Sequence, residues 1–243
     1  MVFVQRERMR LEPATHAHTL WTVPVLSPRA QDVLKLAAII CMVMDHIGAL
    51  LLPDVGILRI IGRFAMPAFA LLLGYNLAQR HVPPKRLIVP LFAFGLLAQP
   101  VYALASGTMH GNILFAFALG VLIVAVWRDL ESQPLARFVV VTLLAMVSLF
   151  TEYPLMATLL VVLSERLMAR VTSINLMAWM FCALAANAFY PIALVGLLPL
   201  LLLFALHRVG GSRLLAWRWF GYTFYPAHLG LLLILRSWFI PHS

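Results

Sequence analysis

The sequence predicts an all-α polytopic membrane protein with about nine transmembrane helices and a cytoplasmic N-terminus. Its 243 residues are 63% hydrophobic and only 11% charged, and the mean hydropathy is +0.95. Soluble domains carry about 25% charged residues, so this composition is that of a chain embedded in lipid. Apolar runs near the length of about 20 residues that a helix needs to cross a bilayer recur along the chain. We therefore expect a basic cytoplasmic tail over residues 1–31 and a transmembrane domain over residues 32–240.

The predicted spans follow one another in order, separated by connections that carry charges, prolines or glycines. The connection at residues 190–191 has alternatives, because a single kinked helix or a re-entrant element fits that stretch equally well. The count is therefore nine, with about eight to ten as its bounds. The spans are 33–52, 57–79, 87–105, 112–127, 136–150, 153–169, 174–190, 191–207 and 217–238.

The distribution of Lys and Arg sets the orientation of these helices. If the N-terminal tail is cytoplasmic and the spans alternate, every basic residue falls on the cytoplasmic side except Arg59, Arg63 and Arg236. This is a strong positive-inside bias, and it accounts for the net charge of +9. Because the basic residues are spread between apolar runs rather than gathered on one face, we expect membrane lipid, and not nucleic acid, as the partner. We also expect the tail to be retained rather than cleaved as a signal peptide.

Four polar residues inside the apolar spans are the first candidates for a functional site. Asp45 and His46 are adjacent in the first span, Arg63 lies in the second and His228 in the last. An ionisable residue at this depth costs about 2.5–3.5 kcal/mol and is by default a functional-site candidate. At a rise of 1.5 Å per residue, His46 lies about 18–20 Å deep and Arg63 about 10 Å from the outer surface, with His228 near the midplane. Since charges in hydrocarbon pair with one another or face water, we expect one shared polar cavity that opens outward.

Each of these residues also has a purely structural alternative. Asp45 can serve only to neutralise a buried cation such as Arg63, and we do not expect it to orient the His46 ring, because neighbouring residues on a helix point about 100° apart. His46 and His228 can be interhelical hydrogen-bond partners without chemistry. Arg59 lies nearer the interface, where a long basic side chain is expected to extend toward the headgroups.

Motifs typical of other protein classes do not occur in the sequence. There is no H-x-x-x-H or H-E-x-x-H spacing, and Cys41 and Cys182 lie separately in apolar runs, so we expect no metal site and no disulfide. The chain also lacks a G-x-S-x-G nucleophile elbow, a phosphate-binding glycine loop and a dinucleotide fingerprint. The polar residues within the spans are therefore the candidates for any chemistry.

Four stretches together resemble the TraX family of integral-membrane pilin acetylases found in conjugation systems. Their order and spacing match the family over residues 32–235, and it is the combination that is specific rather than any one stretch. The stretches are residues 34–48 (LKLAAIICMVMDHIG), 61–69 (IGRFAMPAF), 111–120 (GNILFAFALG) and 224–229 (FYPAHL).

The resemblance implies a bacterial inner-membrane acetyltransferase that uses acetyl-coenzyme A to acetylate the N-terminal amine of a conjugative pilin subunit. It also suggests a distant relation to the wider class of multi-span acyltransferases, which would make residues 32–240 a transmembrane acyltransferase domain. Where the family often has a glycine after the pair at 152–153, this chain has Pro154. Glu152 lies at an outer helix end, and simple solvation is the alternative to a role in the site. The positions that match are Asp45, His46, Arg63 and His228 as catalytic candidates, and Asn112, Glu152 and Tyr225 as substrate-binding candidates.

Acetyl transfer suits these side chains. An α-amine has a pKa of about 7.7–8.0 and must lose a proton to attack a thioester, and a nearby imidazole can accept that proton. We therefore predict His46 as the general base, Arg63 or His228 as the group that stabilises the oxyanion, and Asp45 as the partner of Arg63. A relay through an acetyl-histidine intermediate is the alternative mechanism.

Coenzyme A carries phosphates and reaches the protein from the cytoplasm. The nearest predicted basic cluster on that side consists of Arg80, Lys85 and Arg86. These three residues are therefore predicted to bind the donor. Ordinary positive-inside charge in a cytoplasmic loop is the competing explanation for them.

Three other functions are compatible with the same residues. Midplane Asp, His and Arg residues also build proton relays, as in a proton-coupled transporter. The acceptor of the acyl group could instead be a hydroxyl of a lipid or a glycan. The remaining alternative is a non-catalytic assembly factor that escorts pilin, which would keep its function in a His46→Ala variant.

Overall fold

The protein is described by a computed structural model that covers residues 25–80, 82–188, 193–215 and 219–239. These residues are almost entirely helical, which confirms the predicted all-α class. Short 3₁₀ turns at Ala193–Leu197 and Leu206–Arg208 flank α9. The helices are α1 (Pro28–Leu50), α2 (Gly56–Gly62), α3 (Ala65–Ala78), α4 (Lys85–Ser106), α5 (Ile113–Asp129), α6 (Pro134–Ser148), α7 (Met156–Ala169), α8 (Ser173–Ala185), α9 (Leu198–Ala205) and α10 (Phe220–Phe239).

Several helices have the length and composition of membrane spans. Within the described ranges, Pro28–Leu50, Gly56–Ala78 and Lys85–Ser106 are each long and apolar enough to cross a bilayer. Shorter apolar helices occur at Pro134–Ser148, Ser173–Ala185 and Ala193–Arg208. The chain therefore has the character of a multi-pass membrane protein. The count of nine crossings stays a prediction, and the predicted break at 190–191 lies outside the described residues.

The outer surface of the bundle is apolar, as lipid contact requires. Leu96 on α4 is 66% exposed, Phe138 on α6 is 68% exposed and Phe181 on α8 is 76% exposed. In a water-soluble protein, apolar patches of this extent mark interaction surfaces. On a helix that crosses a bilayer they are the expected lipid-facing side chains.

Local sequence signals explain where the helices that carry the site begin. Ser27 precedes α1 and its hydroxyl accepts a hydrogen bond from the backbone N–H of Ala30 at 3.1 Å, while Pro28 occupies the first helical position. Asn112 caps α5 in the same way, because its side-chain oxygen accepts from Leu114 N–H at 3.1 Å. Both caps satisfy donors that a helix start leaves without partners.

The second predicted span, 57–79, corresponds to the apolar stretch Gly56–Ala78, which is long enough to cross a bilayer but is broken into two helices. The helix α2 ends at Gly62 and α3 begins at Ala65. Pro67 lies in the first turn of α3, where the backbone N–H that proline lacks would have no helical partner in any case. A helix that begins just before Pro67 therefore loses no backbone hydrogen bond to this proline. Arg63 lies at the junction.

The helix α3 lies at the centre of the bundle, packed against α7 and α1, and α5 packs on the other side of α7. Glycines allow these helices to approach closely. A Cβ atom added at Gly74 would lie 2.5 Å from the backbone nitrogen of Glu165, and one at Gly120 would lie 2.9 Å from the carbonyl oxygen of Thr158. Thr158 in turn donates its hydroxyl to Ala116 O at 3.0 Å. This tight packing gives the polar side chains on α1 and α3 a rigid support.

Candidate functional site

Asp45 on α1 lies between two arginines. Its Oδ2 accepts a hydrogen bond from Nη1 of Arg59 at 2.7 Å, and its Oδ1 forms an ion pair with Nη2 of Arg63. Arg63 is only 3% exposed. The site depends on Gly62, because a methyl group there would overlap the Asp45 carboxylate. The predicted pairing of Asp45 with Arg63 is present, whereas the expectation that Arg59 extends toward the headgroups is wrong, because Asp45 draws it inward.

Arg63 connects this ion pair to Tyr153, in the connection between α6 and α7. Its Nη1 donates to the Tyr153 hydroxyl at 2.6 Å, and its Nε donates to the carbonyl oxygen of Arg59 at 3.0 Å. Tyr153 has a φ of 53°, a left-handed conformation that is uncommon for a residue other than glycine and that tends to be retained at functional sites. The preceding residue, Glu152, is held by a hydrogen bond from its backbone N–H to Gly111 O at 2.7 Å.

His46 and His228 form a hydrogen-bonded pair although 182 residues separate them in the chain. Nδ1 of His46 lies 2.7 Å from Nε2 of His228, and Nδ1 of His228 lies 2.9 Å from the carbonyl oxygen of Phe224. The Phe224 ring stacks on the His228 ring at 5.2 Å with an interplanar angle of 8°. His228 is therefore fixed on both ring nitrogens and on one face.

The hydrogen bonds of this pair fix the protons on both rings. A carbonyl oxygen can only accept, so Nδ1 of His228 carries the hydrogen. With both rings neutral, Nε2 of His228 is then an acceptor and Nδ1 of His46 is the donor to it. Nε2 of His46 is consequently left with a free lone pair. This atom can accept a proton or act as a nucleophile.

A cavity of about 840 Å³ runs inside the bundle and meets these residues. Asp45, His46, Glu152, Tyr153 and Tyr225 line one part of it. Basic residues on α1, at the start of α4 and in the segment before α10 line the other part: Lys35, Lys85, Arg86 and Arg213. The cavity thus extends from the histidine toward the side that the positive-inside bias assigns to the cytoplasm. The predicted outward opening stays a prediction.

Two buried polar atoms within the described ranges have no hydrogen-bond partner. They are Oε2 of Glu152 and the hydroxyl group of Tyr225. Buried polar groups are normally satisfied, and exceptions call for an explanation such as a bound ligand. Both residues line the cavity beside His46, so a ligand in that part of the cavity could satisfy both atoms.

The other predicted site residues have different surroundings. Asn112 is fully buried, and its Nδ2 donates to Gly95 O at 2.8 Å and to Oε1 of Gln99 at 2.9 Å, so it joins α4 to the start of α5. It is not among the residues that line the cavity. Arg80 is exposed, has a φ of 56° and likewise does not line the cavity, unlike its predicted companions Lys85 and Arg86.

Sequence reasoning did not select Tyr153, Lys35 or Arg213 as site residues. The sequence contained a signal for Tyr153, which follows Glu152 in the acidic-aromatic pair, but a tyrosine at a helix end is ordinary in a membrane protein. Lys35 and Arg213 appeared as positive-inside charges, and only the packing of α1 and α10 brings them to one cavity. No cluster of three or more potential metal-ligating side chains occurs in the described part of the chain.

The fold and this site define a helical, multi-pass membrane protein whose buried polar residues line an internal cavity. The chain belongs to the TraX protein family, which it matches over residues 30–236. It is 30% identical over 229 residues to Protein TraX of Escherichia coli (strain K12), covering 89% of this chain and 91% of that protein.

Two further relatives extend beyond that species. A probable fimbrial assembly protein FimC, serogroup H1, of Dichelobacter nodosus is 28% identical over 230 residues, which cover 82% of this chain and 92% of that protein. An uncharacterized protein of Rickettsia prowazekii (strain Madrid E) is 41% identical over 92 residues, which cover 37% of this chain and 34% of that protein. No solved structure matches the chain.

Proposed function

We propose that this protein is an inner-membrane acetyltransferase that transfers the acetyl group of acetyl-CoA to the N-terminal amine of a conjugative pilin subunit. The observation that carries the proposal is the His46 imidazole, which lines the cavity and whose Nδ1 lies 2.7 Å from Nε2 of His228. When both rings are neutral, this arrangement leaves Nε2 of His46 as the atom with the open lone pair. Membership of the TraX family supports the pilin acceptor, and so does the relative that is named as a probable fimbrial assembly protein.

His46 is the general base in this mechanism and His228 is a positioning residue. The free Nε2 of His46 takes the proton of the acceptor amine, as a base with an open lone pair must. His228 does not line the cavity, and both of its ring nitrogens are engaged. It therefore fixes the orientation and tautomer of His46 rather than contacting the substrate, as second-shell partners of catalytic histidines do.

Tyr153 is the group best placed to stabilise the oxyanion. Its hydroxyl accepts a hydrogen bond from Arg63 and lines the cavity, so its own hydrogen can be donated to the thioester carbonyl oxygen. The guanidinium group of Arg63 polarises that hydroxyl, and Asp45 holds the guanidinium in place. A fixed donor of this kind contributes because it needs no reorganisation when negative charge develops.

Glu152 and Tyr225 form the proposed site for the acceptor amine. A protonated amine has three N–H donors and a positive charge, and Oε2 of Glu152 and the Tyr225 hydroxyl oxygen are acceptors without partners within the described residues. The His46 and Tyr225 rings lie 6.4 Å apart between centroids, so a small group can contact both. In its ionised form, the Glu152 carboxylate would favour an ammonium group over a neutral lipid or glycan hydroxyl.

The reaction then proceeds in balanced steps. The bound ammonium group first loses one proton to water, which leaves a neutral amine with a lone pair. The amine nitrogen then attacks the thioester carbonyl carbon while Nε2 of His46 takes a second proton, and the oxyanion that forms accepts a hydrogen bond from the Tyr153 hydroxyl. The C–S bond breaks as the carbonyl re-forms, and the coenzyme A sulfur receives the proton from His46. The products are the N-acetylated pilin and free coenzyme A. In the alternative relay, Nε2 of His46 carries the acetyl group transiently, and double-displacement kinetics would distinguish it.

The intact mass of the pilin tests this proposal. A candidate pilin is co-expressed with the wild-type protein, with His46→Ala and with the matched control His110→Ala, whose exposed side chain lies outside the cavity. We expect one added acetyl group with the wild type and the control, and none with His46→Ala at equal protein levels in the membrane. An unmodified pilin in all three would contradict pilin acetylation and turn the search to lipid or glycan acceptors or to transport.

A further inference from the structure

The part of the cavity farthest from His46 has a strongly basic mouth. Four cations from three separate elements line it: Lys35 on α1, Lys85 and Arg86 at the start of α4, and Arg213 in the segment before α10. We propose that this basic mouth binds the phosphates of a nucleotide that carries the acyl group on a long flexible arm. The inference rests on the proposed acyl transfer and deepens it, because it assigns the residues that bind the phosphates of the donor.

Negative charge from the protein neutralises only part of the basic mouth. Asp32 lies 3.4 Å from Nζ of Lys35 and 3.8 Å from Nη1 of Arg213. In the described part of the chain, Lys85 and Arg86 form no ion pair with a carboxylate. Among the described residues, the Asp32 carboxylate therefore pairs with two of the four cations, Lys35 and Arg213. Cations that lie close together repel each other, and a bound anion with several phosphate groups relieves that repulsion.

Asp32 is also a positioning residue, because it holds the segment that carries Arg213 in place. It is fully buried, and its Oδ2 accepts hydrogen bonds from the backbone N–H groups of Leu214 at 2.9 Å and Leu215 at 3.1 Å. These bonds attach the segment that carries Arg213 to α1. Arg213 is thereby held close to Lys35, since both side chains lie within 4 Å of the Asp32 carboxylate. The start of α10 is close as well, because a Cβ added at Gly221 would lie 4.0 Å from Cδ of Lys35.

Aromatic side chains beside the mouth suit a nucleobase. Trp219 and Tyr222 line the cavity at the start of α10. Their ring centroids lie 6.1 Å apart, and Phe94 of α4 stacks on Tyr222 at 5.7 Å with an interplanar angle of 19°. Bases stack on such surfaces without needing sequence-specific hydrogen bonds. The mouth therefore offers cations for phosphates and aromatic rings for a base, the two recognition elements of a nucleotide.

The distance from the mouth to the reacting imidazole defines the donor further. Lys35 and His46 lie on one helix, about 16 Å apart at a rise of 1.5 Å per residue. A compact donor such as acetyl phosphate cannot contact both ends of this path. A coenzyme A thioester can, because its pantetheine arm separates the phosphates from the thioester. The geometry thus selects a nucleotide-linked thioester and adds Lys35 and Arg213 to the donor site while leaving Arg80 outside it.

Calorimetric titration of purified protein in nanodiscs with coenzyme A tests the inference without turnover. We expect Lys35→Ala and Arg213→Ala each to weaken coenzyme A binding about tenfold, the equivalent of one lost charge-assisted hydrogen bond. Arg80→Ala, the matched control, should bind as the wild type does. Arg213 is well exposed, so its replacement leaves no buried cavity and a folding defect is not expected. S-acetylpantetheine, which lacks the nucleotide, should be turned over equally by the wild type and Arg213→Ala.

The outcomes separate this inference from the proposed function. If coenzyme A binds equally well to the wild type, Lys35→Ala and Arg213→Ala, the basic mouth is not the phosphate site, but acetyl transfer from coenzyme A stands. If the wild type binds no coenzyme A, the donor named in the proposed function is wrong as well. Tight binding of acetyl phosphate that depends on Lys35 and Arg213 would also overturn the inference, because a donor without an arm would then suffice.

Discussion

The hydrogen bond between His46 and His228 gives a graded test of the mechanism. In a His228→Leu variant, Nδ1–H of His46 loses the acceptor that lies 2.7 Å away, and the ring loses its fixed orientation. A buried donor left without a partner costs about 1–3 kcal/mol. If the whole of that cost is added to the activation free energy of acetyl transfer, the rate drops about 5- to 150-fold. His228→Gln retains an oxygen that can accept the hydrogen bond, so we expect a smaller loss.

The assay is the initial rate of acetylation of a pilin N-terminal peptide by purified variants in proteoliposomes, with saturating acetyl-CoA. We expect kcat to decrease from the wild type to His228→Gln and further to His228→Leu, with both KM values nearly unchanged. Thermal unfolding of each variant controls for folding. Wild-type kcat in a well-folded His228→Leu variant would refute the positioning role, and so would equal kcat values for the Leu and Gln variants.

Three further perturbations test the rest of the site and its support. Tyr153→Phe removes the proposed oxyanion donor but keeps the ring, so kcat should fall about 100- to 1,000-fold with an unchanged KM for acetyl-CoA; an unaffected kcat would exclude Tyr153 from the chemistry. Glu152→Gln keeps the shape of the side chain but removes its ability to carry a negative charge. The KM for the acceptor peptide should therefore rise while the KM for acetyl-CoA stays constant. A rise in the KM for acetyl-CoA alone would contradict the assignment of Glu152 to the acceptor site. Gly74→Ala would place a methyl group 2.5 Å from the Glu165 nitrogen, an overpacking that costs about 1–3 kcal/mol or more. Its unfolding temperature should lie below that of the control variant Gly230→Ala, where an added methyl group meets nothing within 4 Å. Equal unfolding temperatures for the two variants would contradict the close contact between α3 and α7.

Hydropathy predicted the helices well because the length of an apolar run is a local property of the chain. The predicted spans 33–52, 87–105 and 112–127 correspond to α1, α4 and α5. The break within the span 57–79 also has a local cause, because Pro67 lacks the backbone N–H that a continuous helix would use at that position.

The partners of the polar residues could not be predicted in the same way. Depth along the helices placed His46 and His228 at a similar level, but rotation about each helix axis decides whether two side chains meet. The direction of Arg59 illustrates this, because a free arginine near the interface extends toward water, whereas a buried carboxylate within reach draws it inward. The contribution of Lys35 and Arg213 to one cavity likewise depends on the packing of α1 against α10.

The most direct test of the central claim is transfer of an isotope-labelled acetyl group by the purified protein. Proteoliposomes that contain the wild-type protein or His46→Ala receive acetyl-CoA with a ¹³C-labelled acetyl group and a pilin peptide with a free N-terminus, and mass spectrometry with fragmentation locates the label. We expect the labelled acetyl group on the N-terminal nitrogen with the wild type only. A peptide that stays unlabelled with folded, coenzyme-A-binding wild-type protein would contradict acetyl transfer to the pilin amine, and equal labelling by His46→Ala would contradict the assignment of the base.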